Sequence, residues 1–266
     1  MDNKDNVRSQ VRDAYAKIAQ TKSKDSGCGC SPSCCSPQRL DAKAISAKLG
    51  YSSGEVEGVP EGANMGLGCG NPQAIASLKE GEVVLDLGCG GGFDCFLAAR
   101  QVGSSGRVIG VDMTPEMIIK AREIGKKGNY ANVEFRLGEI EHLPVADNSV
   151  DVIISNCVVN LSPDKPQVYR DAHRVLRPGG RLAFSDIVAV RKLPGKFISD
   201  VEKLTGCISG AAAVDELKAA LEDAGFTDIQ ILLREESRSF IRDWFPGTGV
   251  EDFVLSASIQ ARKNEP

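Results

Sequence analysis

Histidine is almost missing from this chain. Only His142 and His173 occur in 266 residues. That excludes a metal centre built on several imidazoles and leaves a Ser–His hydrolase only these two bases to use; both read as structural. No apolar stretch reaches the roughly 18 residues that announce a membrane span. Met1 to Gln20 is polar and lacks the apolar centre of a secretion signal. Neither sign of charge dominates. The 32 Lys and Arg against 36 Asp and Glu leave a net charge of −4, with no basic surplus to gather nucleic acid and no acidic surplus to keep the chain unfolded. Hydrophobic residues at 42% and charged residues at 26% fit a soluble globular protein. The length suits one α/β domain with appendages.

Cysteine is what the chain has in excess: nine, with no secretion signal. That combination points to the cytoplasm and to reduced thiols. There, cysteines that are not core filler bind soft ions or carry redox chemistry.

Apolar spacing at Val7, Val11, Tyr15 and Ile18 predicts an amphipathic helix over 5–20. Residues 21–37, rich in Ser, Gly, Pro and Cys, read as a loop or tethered tail. A short helix is expected over 41–49, irregular chain over 54–70, and another short helix from Pro72 to Leu78. From Val83 the pattern alternates. Strands are expected at 83–87, 107–111, 133–137, 150–155 and 181–187, with helices at 93–101, 115–127 and 163–176. The remainder adds helices at 196–204 and 214–224, and strands at 229–233 and 253–261 joined through a turn region at Trp244 to Gly247. Such alternation gives an α/β fold: a mostly parallel, seven-stranded, Rossmann-like sheet with helices on both faces.

The run Val83-Val84-Leu85-Asp86-Leu87-Gly88-Cys89-Gly90-Gly91-Gly92-Phe93 is a strand, a glycine turn and a helix start. Backbone without side chains lets a ligand approach closely, and open α/β sheets bind ligands at the carboxyl ends of their strands. A dinucleotide site asks for a third glycine at position 93, which is Phe93; here that glycine is Gly92. Asp86 just before the turn repels a pyrophosphate but suits an ammonium group. About 24 residues after Gly88, the second strand ends in Asp112, placed to accept from both hydroxyls of a ribose. An amino-acid head at one carboxylate and a ribose at the other describe S-adenosylmethionine. A ligand-free turn and an NAD site are the alternatives.

Where the methyl acceptor should lie, thiols stand. Cys157 follows the fourth strand, Cys69 sits in the glycine-rich approach to the domain, and Cys207 lies in the segment after the fifth strand. Three regions thus bring thiols to one mouth. Thiolates select thiophilic ions, and a trivalent metalloid on three thiolates keeps a lone pair opposite them. The cluster Cys28, Cys30, Cys34 and Cys35 offers further thiols. They would hold zinc or another metalloid atom, relay redox equivalents, or belong to a thiol-rich tail; zinc would need a second, more distant pair.

The core resembles the class I S-adenosylmethionine methyltransferases, also in Gly138-Glu139-Ile140-Glu141 after the third strand and in Leu176-Arg177-Pro178-Gly179-Gly180 before the fifth. The thiol segments closely resemble the arsenite methyltransferase family. They are Gly66-Leu67-Gly68-Cys69-Gly70, Ser155-Asn156-Cys157-Val158-Val159-Asn160-Leu161 and Gly206-Cys207-Ile208-Ser209-Gly210-Ala211, together with Asp243-Trp244-Phe245-Pro246-Gly247. Leu67 stands where eukaryotic members commonly carry an aromatic residue. The resemblance implies a cofactor site of Asp86, Gly88, Cys89, Gly90, Gly92, Asp112, Met113 and Asn156, with Glu139 and Ile140 around the adenine. It implies that Cys69, Cys157 and Cys207 bind As(III), that cysteine pairs form a disulfide returning the product to the trivalent state, and that thioredoxin or a small thiol resets the enzyme. The expected partners are arsenite or its thiol conjugates and that reductant, with no nucleic acid, no membrane and a monomeric chain. Residues 1–70 are then a helical, cysteine-rich extension, 71–190 the S-adenosylmethionine-binding domain, and 191–266 the arsenic-binding segment and final strands. A small-molecule C- or O-methyltransferase with incidental cysteines, and a metalloid-sequestering protein, are the rival functions.

Overall fold

Runs of β-branched residues set the central sheet. Val83–Leu87 (β1), Arg107–Asp112 (β2), Val133–Leu137 (β3) and Val150–Asn156 (β4) are short strands in parallel register, β1 lying between β2 and β4. The computed structural model describes residues 3–20, 42–198, 208–244 and 246–265. Leu176–Ala189 (β5), Phe226–Arg234 (β7) and Val254–Lys263 (β8) complete the path β3-β2-β1-β4-β5-β8-β7, in which β8 runs antiparallel to both neighbours. Ala212–Ala213 (β6) is a two-residue addition paired parallel to the end of β5. It makes the observed sheet eight-stranded, one more than expected. The strand assigned to 181–187 is longer because Leu176 already pairs with Val150; the Arg177–Gly180 turn is an irregularity inside it.

Helices cover both faces. Phe93–Val102 (α5) and Pro115–Lys127 (α6) pack one face through Phe96, Ile118 and Ala121. Lys165–Val175 (α7) and Val214–Asp223 (α9) pack the other through Val168, Tyr169, Leu217 and Leu221. Between the N-terminal helix Asn3–Gln20 (α1) and β1 lie Ala42–Lys48 (α2), Ser53–Glu57 (α3) and Gln73–Ala76 (α4). α3 falls at the edge of the stretch read as irregular. Its Ser52 and Glu55 form a reciprocal capping box, which satisfies the first free N–H groups of the helix. Gly195–Ile198 (α8) begins the helix expected at 196–204, whose remainder lies outside the described residues. The expected turn before the last strand is preceded by a helix, Ser237–Trp244 (α10), which buries Ile241 and stacks Phe240 on Trp244 with ring centroids 5.0 Å apart. His173 packs edge-on against Phe226, in keeping with a structural role.

Candidate active site

The carboxyl ends of β1, β2 and β4 open into a cavity of about 1050 Å³, its mouth included. Asp86, Gly88, Cys89, Gly90, Asp112, Met113, Ile140 and Asn156 line it. Gly88 has φ +68°, and a Cβ there would collide with the side chain of Val158, so the turn tolerates only glycine at that point. The N–H groups of Gly88 and Cys89 both donate to the Val111 carbonyl, at 2.7 and 3.0 Å, which ties the turn to β2. Asp112 accepts from the N–H of Gly90 at 2.9 Å and of Thr114 at 2.8 Å. These donors, with the Thr114 side chain, fix the carboxylate, whose two oxygens can still accept from a diol. Burial still pushes its pKa up.

Asp86 is buried and accepts from the Cys95 thiol at 3.2 Å. Burial, and next the charge of Asp94, raise it well above the ordinary carboxylate range. Burial also pushes Cys89 up to about 11 and Cys95 well above the ordinary thiol value. Both stay protonated at neutral pH, as turn and core residues rather than nucleophiles. Two residues assigned to the cofactor are not among those lining the cavity. Gly92 caps α5 against Phe96 and Phe135, and Glu139 turns to Arg12 at 3.3 Å and Arg8 at 3.5 Å.

The amphipathic α1 roofs this cavity with Arg8, Val11 and Tyr15. Val11 is fully buried, and Arg8 reaches the buried Glu141 at 3.3 Å. Glu141 also accepts from Ser162 at 2.7 Å, and Lys4 pairs with Asp164 at 2.7 Å.

The thiols lie beside Asn156. Cys69 and Cys157, 88 positions apart, are joined by a disulfide with their Cα atoms 5.8 Å apart. Cys157 also lines the cavity. Asn156 clamps the Cys69 loop from both sides of its amide: Oδ1 accepts from the Cys69 N–H at 3.0 Å, and Nδ2 donates to the Gly70 carbonyl at 2.8 Å. Gly68 is required there, since its φ is +135° and a Cβ would lie 2.8 Å from the Asn156 amide. Cys157 has φ +59°, a left-handed conformation costing a non-glycine residue roughly 1–2 kcal/mol. Its N–H donates to the Ser185 carbonyl at 2.8 Å.

A carboxylate that sequence reasoning did not single out completes this corner. One oxygen of Asp186 and the two sulfurs lie within 4.8 Å of one another, all buried. Asp186 accepts from the N–H of Ile187 at 2.8 Å and from the backbone and side chain of Asn160 at 3.0 and 2.9 Å. Burial outweighs those donors and pushes it up to about 7. Cys207, Cys28, Cys30, Cys34 and Cys35 lie outside the described residues. Immediately after position 207, Ile208 is fully buried in the cluster that holds Cys69 and Cys157. A Cβ on Gly210 would collide with the Asn160 carbonyl.

Comparison with known proteins gives this site its family. A methyltransferase domain family matches residues 78–225. The arsenite methyltransferase of Halobacterium salinarum is 53% identical over 266 residues, covering 97% of this chain and 66% of that protein. That of Aquipseudomonas alcaligenes is 38% identical over 235 residues, covering 85% of this chain and 64% of its own length. The crystal structure of an arsenic(III) S-adenosylmethionine methyltransferase from Chlamydomonas reinhardtii superposes with a TM-score of 0.61 at 34% identity, covering 86% of this chain and 75% of that one. This chain spans about two thirds of the length of the two curated relatives. Fold and glycine turn define a class I methyltransferase. Within that class, the chain belongs to the arsenite methyltransferase family.

Proposed function

We propose that this chain methylates trivalent arsenic, arsenite first and methylarsenite after it, with S-adenosylmethionine as donor. One observation carries the reading: a cysteine bonded to a second cysteine lines the same cavity as the glycine turn and its two carboxylates. Asp112 would take the ribose hydroxyls and Asp86, with Gly88, Cys89 and Gly90, the amino-acid end. Met113 and Ile140 would flank the adenine, with Glu139 holding Arg8 and Arg12 of the roof, Gly92 shaping the turn and Asn156 standing beside donor and thiols.

In the reduced protein, Cys69, Cys157 and Cys207 displace the three hydroxyls of arsenite as water, forming three As–S bonds. The arsenic lone pair then attacks the methyl carbon. An As–C bond forms, the C–S bond breaks, and its electron pair stays on sulfur as the neutral thioether. No base is needed, because the attacking pair carries no proton; proximity supplies the acceleration. Arsenic is formally oxidised from III to V. Two of the arsenic-bound sulfurs then leave together as a disulfide: their two As–S bonds break, one S–S bond forms, and arsenic regains two electrons. A thioredoxin or small thiol reopens that disulfide by exchange, with Cys28, Cys30, Cys34 and Cys35 as relay thiols. The Cys69–Cys157 bond has the form expected of the oxidised state. In this reading residues 1–70 deliver thiols, 71–190 hold the donor, and 191–266 supply the third arsenic ligand. The setting is the cytoplasm, where thiols stay reduced, the chain acts as a monomer, and the outcome is arsenic detoxification.

The test is incubation with arsenite, donor and a thioredoxin system, followed by identification of the arsenic species. Methylated arsenic is expected from the unsubstituted chain and none from Cys157→Ser. Full turnover by that variant would move the arsenic site elsewhere.

A further inference from the structure

Asp94 is a carboxylate that the proposed donor contacts do not use. It stands in the first turn of α5, 8% exposed, and faces the cavity alongside Asp86. Its two oxygens share one hydroxyl hydrogen, from Tyr51 at 2.8 and 3.0 Å. Tyr51 is buried too, and its oxygen accepts from Asn156 Nδ2 at 3.0 Å. None of these partners is a cation. Among the described residues lining the cavity Arg8 alone carries positive charge, and it is engaged by Glu141, Glu139 and Asp5. The interactions on Asp94 come from Tyr51, Asn156, Gln73 and Glu55, and those on Asp86 from Asp94, Cys95 and Asp112. Burial pushes Asp94 up to about 6 and raises Asp86 as well. Two buried carboxylates at one cavity without a counter-charge are costly unless a ligand brings that charge.

The donor proposed above carries an ammonium, a sulfonium and a carboxylate. Its product has the same adenosine and the same amino-acid end but has lost the sulfonium charge with the methyl. Contacts to ribose, adenine and ammonium treat the two alike. We infer that Asp94 is the charge-selecting residue of this cavity, favouring the sulfonium donor over the thioether product. The inference rests on S-adenosylmethionine being the donor. With Asp112 on the ribose, Asp86 on the ammonium and Glu141 paired with Arg8, Asp94 is the cavity carboxylate left for the sulfonium. Coulomb energy in a poorly solvated cavity persists over several ångströms, so no direct contact is required. Methyl transfer then removes the charge that Asp94 favours, which promotes product release.

The test is calorimetric affinity of the full chain for S-adenosylmethionine and for S-adenosylhomocysteine. Asp94→Asn and Asp94→Ser both remove the charge while leaving a hydrogen-bonding group for Tyr51. Each is expected to weaken the donor about tenfold and the product less than twofold. Tyr51→Phe removes the hydrogen bond but keeps the charge, so its donor-to-product ratio should match that of the unsubstituted chain. Equal weakening of both ligands in the Asp94 variants overturns the inference, as does a Tyr51→Phe ratio that shifts as far as theirs. If those results come with normal arsenite methylation, this inference fails and the donor reading stands. If the unsubstituted chain binds neither ligand, the donor reading fails with it.

Discussion

Cys157 holds a backbone conformation that few non-glycine residues adopt, on a loop pinned by Asn160 and Ser185. Strain of this kind, over-determined by its surroundings, fits a residue whose sulfur must point one way. Serine in its place offers a hard, protonated oxygen to a soft ion. Cys157→Ser should therefore lose methylation of both arsenite and methylarsenite. Cys69→Ser should lose arsenite methylation but retain part of its rate on methylarsenite, because a methylated arsenic needs only two sulfur ligands. Rates measured on each substrate separate the two thiols, and equal losses in Cys69→Ser would refute that division. Asp186 carries a prediction about pH. Its proton is held to about 7 in the folded chain against about 3.9 when unfolded. The folded state binds more protons across that window, so Asp186 disfavours folding increasingly as pH rises through it, by about 4 kcal/mol at most. Denaturant titrations from pH 4 to 8 should show stability falling with pH, and Asp186→Asn should flatten that slope whatever it does to its level. Asp86 and Asp112, which the structure brings to one cavity, could be picked out in the sequence because a glycine turn and the end of the next strand are local patterns. Tyr51 and Asp94, 43 positions apart, share no such pattern, and Asp94 reads as an ordinary acid favoured by a helix N-terminus. Asp186 likewise reads as one polar interruption in a strand.

Among the elements, α1 is held by charge rather than by depth. Only Val11 of its described residues is fully buried, whereas Lys4, Arg8 and Arg12 reach Asp164, Glu141 and Glu139. Exposed pairs contribute little, but Arg8 and Glu141 are shielded, at 16% and 4% side-chain exposure. Among the described residues, Arg8→Ala leaves the Glu141 carboxylate with Ser162 as its side-chain partner, a loss of about 1–3 kcal/mol. Amide exchange over residues 3–20 should then speed up while β1 and β4 stay protected, and donor affinity should fall several-fold. Unchanged exchange in α1 would show that apolar contacts alone hold the roof. Amphipathic spacing made α1 legible. α10 was not, because its apolar residues Phe240, Ile241 and Trp244 span barely one turn. β6 was not legible either, since two alanines carry no period. The Ser52 and Glu55 pair that starts α3 is a readable signal, masked by the glycines around it.

For the molecule as a whole, the Cys69–Cys157 bond closes a span of 88 residues that includes β1 to β4. In the chain-entropy description such a closure stabilises by about 4–5 kcal/mol, roughly 10 °C in melting temperature at this size. Scans with and without a strong thiol reductant should differ by that order, and Cys69→Ser should melt like the reduced chain under both conditions. Identical melting temperatures would mean that the unfolded chain gains little from the cross-link. The bond also has a stoichiometric consequence. If every cycle ends with it closed, a chain deprived of reductant is a reagent and not a catalyst. Reduced beforehand, freed of reductant and mixed with excess arsenite and donor, it would release a fixed few equivalents of methylated arsenic per polypeptide, set by how many thiol pairs it carries, and then stop. A rapid-quench time course would read that amplitude directly, and under sustained arsenic load the supply of electrons, more than the quantity of protein, would set the throughput.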